Sequence, residues 1–402
     1  MDRKENINIR EKNNNGKYDV TIIGGAGHVG LPLGLSFANK KIKVCLLDTN
    51  KKNLNRIKSG IMPFIEYGAE SILKRTIKNN YINVTDNPIA ISKSKYVFIT
   101  LGTPIDEFSN PKINLFLGVI KKYKKFFKKE QIIIVRSSVF PNICSHIKRI
   151  LGEKIKWNIA YCPERIVQGY SIKELSKLPQ IISGFTKKSI TESDKLFKKI
   201  TNKTIKCSIE EAELAKLFTN SLRYIQFAIS NQFYMIADSN NINFDNLRSI
   251  MTYGYERAEK LPSAGFAAGP CLLKDTMQLH SFIDNKFLLG QASMMINESL
   301  PNYIISKIEK KFKLNNLNVG ILGMSFKANI DDTRDSLSFK LKKQLEFKNC
   351  KVNCSDYHID DNSFLPEKEL IKKSKVIIIA VPHNKYKKIN FPKDKFIINL
   401  WF

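Results

Sequence analysis

Near its start the chain runs Tyr18-Asp19-Val20-Thr21-Ile22-Ile23, then Gly24-Gly25-Ala26-Gly27-His28-Val29-Gly30, then an apolar stretch through Leu31, Leu33, Leu35 and Phe37. A β-branched run, a glycine turn and a helical period in that order predict strand, turn and helix. Gly25, Gly27 and Gly30 satisfy GxGxxG: the first permits a tight turn, the second lets backbone approach a pyrophosphate, and the third lets the helix pack close to the strand. His28 and Val29 fill the variable places of the same turn. A second strand over 42–47 ends at Asp48, eighteen residues after Gly30. A carboxylate there accepts hydrogen bonds from an adenosine ribose and repels a 2′-phosphate, which favours NAD over NADP.

The alternation continues with predicted strand 95–101, helix 114–127, strand 131–136, helix 143–151 and strand 157–161, the rhythm of a doubly wound sheet. Loops after such strands gather at the carboxyl edge. Here they carry Thr100-Leu101-Gly102-Thr103-Pro104, Arg136-Ser137-Ser138-Val139 and Cys162-Pro163-Glu164-Arg165. Taken singly, Thr103 or Ser138 reads as an ordinary strand-end turn residue; together the loops deliver polar groups to one crevice. From 210 to 239 the period is helical without a strand, and Lys216 and Asn220, four apart, point two donors to one place unless that face is simply solvated. A second long helix is predicted over 288–312, followed by strands at 319–322, 352–354, 376–380 and 396–400. The expected fold is α/β, two Rossmann-like doubly wound domains joined by a central helical domain. The boundaries read are a flexible polar arm at 1–17, a cofactor domain at 18–207, the helical and dimerisation domain at 208–312 and a final α/β domain at 313–402.

In the helical domain the loop Gly265-Phe266-Ala267-Ala268-Gly269-Pro270 delivers Cys271 to the start of a predicted helix. A thiol at a helix N-terminus is expected to favour the thiolate, and Asp275 follows one turn later on the same face. The other six cysteines, among seven in all, are scattered without a CxxC pair, and Cys350 and Cys354 lack further ligands, so no metal site is expected. The polar first residues are no signal peptide, and no apolar run approaches the ~18 residues that span a membrane. A cytoplasmic chain with reduced thiols and no membrane partner is the expectation. The formal charge of +29 attracts polyanions in general. Its densest run, 121–129, has a helical apolar period that turns the lysines outward, so it reads as a solvated face and not as a nucleic-acid surface.

Five segments in order resemble the UDP-glucose/GDP-mannose dehydrogenase family across nearly the whole chain. They are Gly25-Ala26-Gly27-His28-Val29-Gly30-Leu31-Pro32, Cys162-Pro163-Glu164-Arg165, Glu213-Leu214-Ala215-Lys216-Leu217-Phe218-Thr219-Asn220, Gly269-Pro270-Cys271-Leu272-Leu273-Lys274-Asp275, and Gly323-Met324-Ser325-Phe326-Lys327 with Asp331-Asp332-Thr333-Arg334-Asp335-Ser336. Cys162-Pro163-Glu164-Arg165 with Gln168-Gly169 and Leu178-Pro179-Gln180 resembles the branch acting on UDP-N-acetylhexosamines, UDP-N-acetylmannosamine above all. The resemblance implies a four-electron, NAD-dependent oxidation of a sugar C6 hydroxymethyl, for polysaccharide or capsule precursors, through a thiohemiacetal and thioester on Cys271. It implies that Lys216 and Asn220 stabilise the developing alkoxide, and that Glu164, Asp275 and Ser138 position or deprotonate water and hydroxyl. Thr103 and Arg334 would join the glycine turn and Asp48 on the cofactor. Arg257, Phe266, Gly269 and Lys327 would hold the UDP-sugar, Arg257 reaching a neighbouring subunit's site in a homodimer.

The sequence departs from that pattern in places. His28 stands for the usual Tyr, and Ala267 and Ala268 stand where glycines are common, which would restrict positive φ and reshape the pocket. Asn399 stands for a common aspartate, and the chain ends just after its last predicted strand, as if a terminal helix were missing. Competing readings are a UDP-N-acetylglucosamine or UDP-glucose 6-dehydrogenase, a two-electron hydroxyacid dehydrogenase needing no cysteine, and a basic NAD- or nucleic-acid-binding protein without catalysis.

Overall fold

The computed structural model describes residues 18–106 and 110–401; the expected polar arm lies outside them. The first sheet contains β1 (Tyr18–Ile23), β2 (Val44–Leu47), β3 (Ile82–Thr85), β4 (Ser94–Ile99), β5 (Ile132–Val135), β6 (Asn158–Tyr161), β7 (Gln180–Gly184) and β8 (Thr204–Lys206). Their order is β3-β2-β1-β4-β5-β6-β7-β8, and every pairing is parallel except β6 with β7. Helices cover both faces, which is why Val-Cys-Leu-Leu in β2 and Ile-Ile-Ile-Val in β5 are apolar at every position and fully buried. Ile23 of β1 pairs with Leu47 of β2 and Ile99 of β4, so the strands end in step. The chain leaves β1 toward β2 on one side and returns to β4 on the other, which opens a crevice at the carboxyl edge of β1.

Among the described residues, β3, β7, β8 and seven α-helices escaped the sequence reading. Their segments are short, and several rest on polar caps instead of a long apolar period. The helix Lys187–Phe197, for example, starts from a box in which Thr186 and Ser189 bond reciprocally. The lysine-rich segment is helical over Ile113–Tyr123 with a tight turn over Lys124–Phe126, its Tyr123 and Phe127 buried and its lysines exposed.

The helix Ile209–Ser239 is the longest, with 31 residues, about 46 Å at 1.5 Å per residue. Its start is capped by Ser208 Oγ accepting from Glu211 N at 3.1 Å and by Glu211 Oε2 accepting from Ser208 N at 2.8 Å. The helices Leu272–Phe282 and Leu288–Glu309 pack along it. Asn231, wholly buried at their meeting point, bonds Asn297 and both backbone groups of Gly265. A second parallel sheet follows: β9 (Asn318–Leu322), β10 (Lys351–Ser355), β11 (Val376–Ile379) and β12 (Phe396–Asn399), in the order β10-β9-β11-β12. Its alternate residues enter two separate cores, Ile321 and Ile378 on one face and Leu322, Ile377 and Ile379 on the other. The architecture is the expected pair of doubly wound α/β units joined by helices. No helix among the described residues is long and apolar enough to cross a membrane.

Candidate active site

At the carboxyl edge of β1 the glycines divide their work differently from expectation. The left-handed residue of the turn is Gly24, at φ 81°, not Gly25. Gly25 is needed because β2 passes over it: a Cβ there would lie 2.8 Å from Leu46 Cα and from Ile22 O. A Cβ on Gly30 would stand 2.4 Å from Gly24 O, whereas one on Gly27 would meet only Gly24 O at 3.4 Å. The face of Gly27 is therefore open to a ligand. Val29 is the residue before the first helix, Gly30–Asn39. Asp48 Oδ2 accepts from Ala26 N at 2.9 Å and Oδ1 from Asn50 N at 3.0 Å, which holds the half-buried carboxylate beside the open turn. An open backbone cradle flanked by a carboxylate fits the pyrophosphate and ribose of a dinucleotide.

In the helical part, Cys271 caps the helix Leu272–Phe282, and it is the exposed one of the seven free cysteines. The residue is exposed, yet the protein around its thiol is dense enough to alter the expected sign of its ionisation. Desolvation first, and then the Asp275 carboxylate, push the thiol pKa up; Lys216, Lys274 and Arg334 pull against them without reversing the direction. The helix terminus alone does not make this group a thiolate.

Lys216 and Asn220 are both buried, so the solvated-face alternative fails. Asn220 Nδ2 donates to Asp275 Oδ2 at 2.5 Å, and Lys274 Nζ is ion-paired to Asp275 Oδ1. Lys216 has no ion pair among the described residues and bears on Cys271 electrostatically. Lys274 was missed by the sequence reading although it stands in a quoted motif, because spacing cannot tell a solvated lysine from a buried one. It also donates to Thr103 Oγ1 at 3.1 Å, and Thr103 donates to Ser138 O at 2.5 Å. Thr103, expected on the cofactor, thus ties two strand-end loops to the cysteine helix.

Two carboxylates expected to act on water or hydroxyl are committed elsewhere. Asp275 is wholly buried with both oxygens taken. Glu164 Oε1 accepts from Arg165 N at 2.7 Å and Ile166 N at 2.8 Å, and Oε2 is ion-paired to the wholly buried Arg136. Arg136 also donates to Cys162 O at 3.1 Å and Gln180 Oε1 at 2.9 Å. Of the three candidates, only the half-buried Ser138 has a side chain without a hydrogen bond among the described residues.

The Cys271 loop docks on the second α/β unit. Gly265 and Gly269 take positive φ, 144° and 98°, with Trp401 over one and Phe326 over the other. Ala267 and Ala268 are not among the positive-φ residues, so their methyl groups carry no strain there. Phe266 is buried in the core shared with the second sheet, which makes it a structural residue and not a substrate contact. Arg257 is exposed and donates to the Tyr255 hydroxyl at 2.8 Å, its one hydrogen bond among the described residues. Arg334 chelates Asp332, at 2.6 Å from Nη2, and stays half-exposed with its charge felt at Cys271. Lys327 donates to Gln168 O at 3.3 Å and lies over the Tyr170 ring; desolvation lowers its pKa. The His28 ring packs on Phe64, centroids 3.9 Å apart and planes tilted by 40°. Among the described residues no group of three or more His, Cys, Asp or Glu side chains could hold a metal ion.

A dinucleotide cradle on the first unit, with a cysteine near a buried lysine and a buried asparagine on the helices that follow, fits a nicotinamide-dependent oxidoreductase. Residues 18–201 match the NAD binding domain of the UDP-glucose/GDP-mannose dehydrogenase family, 210–299 its central domain and 320–399 its UDP binding domain. The chain belongs to that family, and its cofactor is NAD. It is 27% identical over 390 residues to the UDP-N-acetyl-D-mannosamine dehydrogenase of Methanocaldococcus jannaschii, covering 96% of this chain and 89% of that one. It is 26% identical over 408 residues to the UDP-N-acetyl-D-glucosamine 6-dehydrogenase of Salmonella typhi, covering 93% of each. In fold it matches the UDP-D-ManNAc dehydrogenase structure from Pyrococcus horikoshii with a TM-score of 0.88 at 23% identity, over 95% of both chains. A UDP-glucose dehydrogenase structure from Pyrobaculum islandicum gives 0.89 at 19% identity, over 96% of this chain and 94% of that one.

Proposed function

We propose that the protein oxidises the C6 hydroxymethyl of a UDP-N-acetylhexosamine, UDP-N-acetyl-D-mannosamine first, to the uronic acid. The observation that carries this reading is Cys271, an exposed residue at a helix start that feels the charges of Lys216, Lys274 and Arg334. A two-electron alcohol dehydrogenase has no use for such a thiol; oxidation of an aldehyde does. NAD, held by the glycine turn and Asp48, would supply the hydride acceptor for both oxidations. In the first, the C6 hydroxyl loses its proton and C6 its hydride, leaving the aldehyde. In the second, the Cys271 thiolate adds to the aldehyde carbon, and Lys216 with the remaining N–H of Asn220 stabilises the alkoxide. Loss of hydride gives the thioester, which water cleaves to carboxylate and free thiol. The sum is one alcohol, one water and two NAD to one carboxylate, two NADH and three protons. Asp275 organises Asn220 and Lys274, and Glu164 braces the cleft through Arg136; both are positioning residues in this reading.

The preference for UDP-N-acetyl-D-mannosamine rests on the Cys162-Pro163-Glu164-Arg165 segment and the names of the archaeal relatives. UDP-N-acetylglucosamine is the second reading, favoured by the Salmonella typhi relative. The division of labour is NAD on 18–207, chemistry on 208–312 and UDP on 313–402. An exposed stripe on the central helix, Phe218, Leu222, Ile229, Phe233 and Ile236, supports a homodimer through these helices.

The test is a stoichiometry and a variant. Two NADH should appear per sugar consumed, and Cys271→Ser should bind NAD and UDP-sugar yet form no acid. A ratio of one, or near-wild-type acid formation by Cys271→Ser, refutes the mechanism. N-acetylated UDP-sugars should exceed UDP-glucose at least ~100-fold in kcat/KM, about 2.7 kcal/mol, because an unpaired pocket group is costly. Equal use of UDP-glucose refutes the substrate assignment alone.

A further inference from the structure

Where the two α/β units meet, one side chain touches parts of both nucleotide sites. Gln168 Nε2 lies 3.0 Å from His28 Nδ1, in the glycine turn, and donates to Asp332 Oδ2 at 2.8 Å. Asp332 Oδ1 and Oδ2 in turn hold Arg334, whose charge is felt at Cys271. The backbone carbonyl of Gln168 accepts from Lys327. One residue therefore meets the cofactor turn, the aspartate that holds Arg334, and a lysine of the UDP binding domain.

The contact is built rigidly. The buried Glu66 carboxylate takes Gly169 N at 3.1 Å, Ser171 N at 2.5 Å and Ser171 Oγ at 2.8 Å, which fixes the loop on the first unit. From the other side, Ile330 packs so close to Gly169, at φ 88°, that a Cβ there would lie 2.9 Å from Ile330 Cγ2. Ile65 N donates to Asp331 Oδ1 at 3.0 Å and Tyr67 Oη to Asn329 O at 2.8 Å, so the seam is continuous. His28 is neutral: burial first, then Arg334, lower its pKa to about 4. A neutral ring with Nδ1 as acceptor carries its proton on Nε2, which faces Asp332 Oδ2 at 3.5 Å. The Gln168 carboxamide is then a donor shared between an imidazole nitrogen and a carboxylate.

We infer that Gln168 is the residue that couples cofactor binding to uridine-nucleotide binding. This rests on the reading of the protein as a UDP-sugar dehydrogenase. Dinucleotide on the glycine turn and uridine nucleotide against Lys327 each favour the arrangement in which Gln168 spans His28 and Asp332. By linkage each ligand then raises the other's affinity by the same factor. Gln168 and Arg334 share the Asp332 carboxylate, so the same span also bears on the cationic surroundings of Cys271.

The experiment is calorimetric titration of the full chain with NADH, alone and with saturating UDP, in wild type, Gln168→Met and Gln168→Glu. Methionine keeps the length and loses the donor; glutamate keeps the shape and sets a second carboxylate against Asp332. Wild type should bind NADH at least about fivefold tighter with UDP present. Both variants should reduce this to under about twofold while binding each ligand alone within about threefold of wild type, a split that general destabilisation would not produce. Independent binding in wild type, or undiminished coupling in either variant, overturns the inference. Wild-type protein that binds NADH and not UDP overturns the underlying reading, and this one with it.

Discussion

Replacing Gly27 and Gly30 by alanine, one at a time, separates a glycine kept for a ligand from a glycine kept for packing. At Gly30 the new Cβ would lie 2.4 Å from Gly24 O, 2.8 Å from Thr100 Oγ1 and 2.9 Å from Gly25 Cα. Two of those atoms are backbone and cannot rotate away, and Thr100 Oγ1 is itself held by Ile23 O and Gly24 O. Overpacking of this kind costs about 1–3 kcal/mol, offset by under ~1 kcal/mol of helix propensity at a first helical residue. At roughly 2–4 °C per kcal/mol for a domain of this size, Gly30→Ala should lower Tm by up to about 12 °C. At Gly27 the added Cβ meets only Gly24 O at 3.4 Å, so stability should change by less than ~0.5 kcal/mol. The methyl group instead stands where the pyrophosphate must approach. Losing one charged hydrogen bond of about 1.5–3 kcal/mol weakens NADH binding by roughly 10- to 150-fold. Thermal melts and NADH fluorescence titrations read the two effects separately. Equal Tm losses, or intact NADH binding in Gly27→Ala, would falsify the assignment of these roles.

Three further outcomes follow from the site. Glu164→Gln leaves the buried Arg136 unpaired and should cost about 3–5 kcal/mol in denaturant unfolding; unchanged stability with lost turnover would return Glu164 to the chemistry. Asp275→Asn removes a charge that raises the Cys271 pKa, so the pH profile for iodoacetamide labelling of Cys271 should move to lower pH, and no movement contradicts the electrostatic account. Burial holds His28 neutral, its pKa falling from 6.5 to about 4 in the folded chain. Its contribution to stability is full above about pH 6.5 and is lost as the pH falls toward 4. His28→Phe should remove that share of the acid sensitivity, and equal pH dependence of unfolding in variant and wild type would refute it.

Much of this protein was legible in local pattern. β-Branched runs bounded by glycine turns mark strands buried on both faces, and β1, the helix over Ile143–Leu151 and the long central helix lie within a residue of their expected bounds. Lys216 and Asn220 share a face because helical geometry puts residues four apart together whatever surrounds them. The cysteine's place at a helix start follows from the same local rule.

What the tertiary structure decided was partnership. Asn220 and Asp275 are 55 residues apart and Gln168 and Asp332 164 apart, and neither pair has a period or spacing to announce it. Glu164 looked free to act until Arg136 was found buried against it, and Phe266 looked like pocket wall until the second sheet closed over it. The left-handed turn residue proved to be Gly24, because β2 comes close enough to claim Gly25 for packing. The ionisation of Cys271 turned out opposite in sign to the helix argument. A pKa sums desolvation and every nearby charge, and Lys216, Lys274, Asp275 and Arg334 reach that sulfur from three separate parts of the chain that only folding brings together.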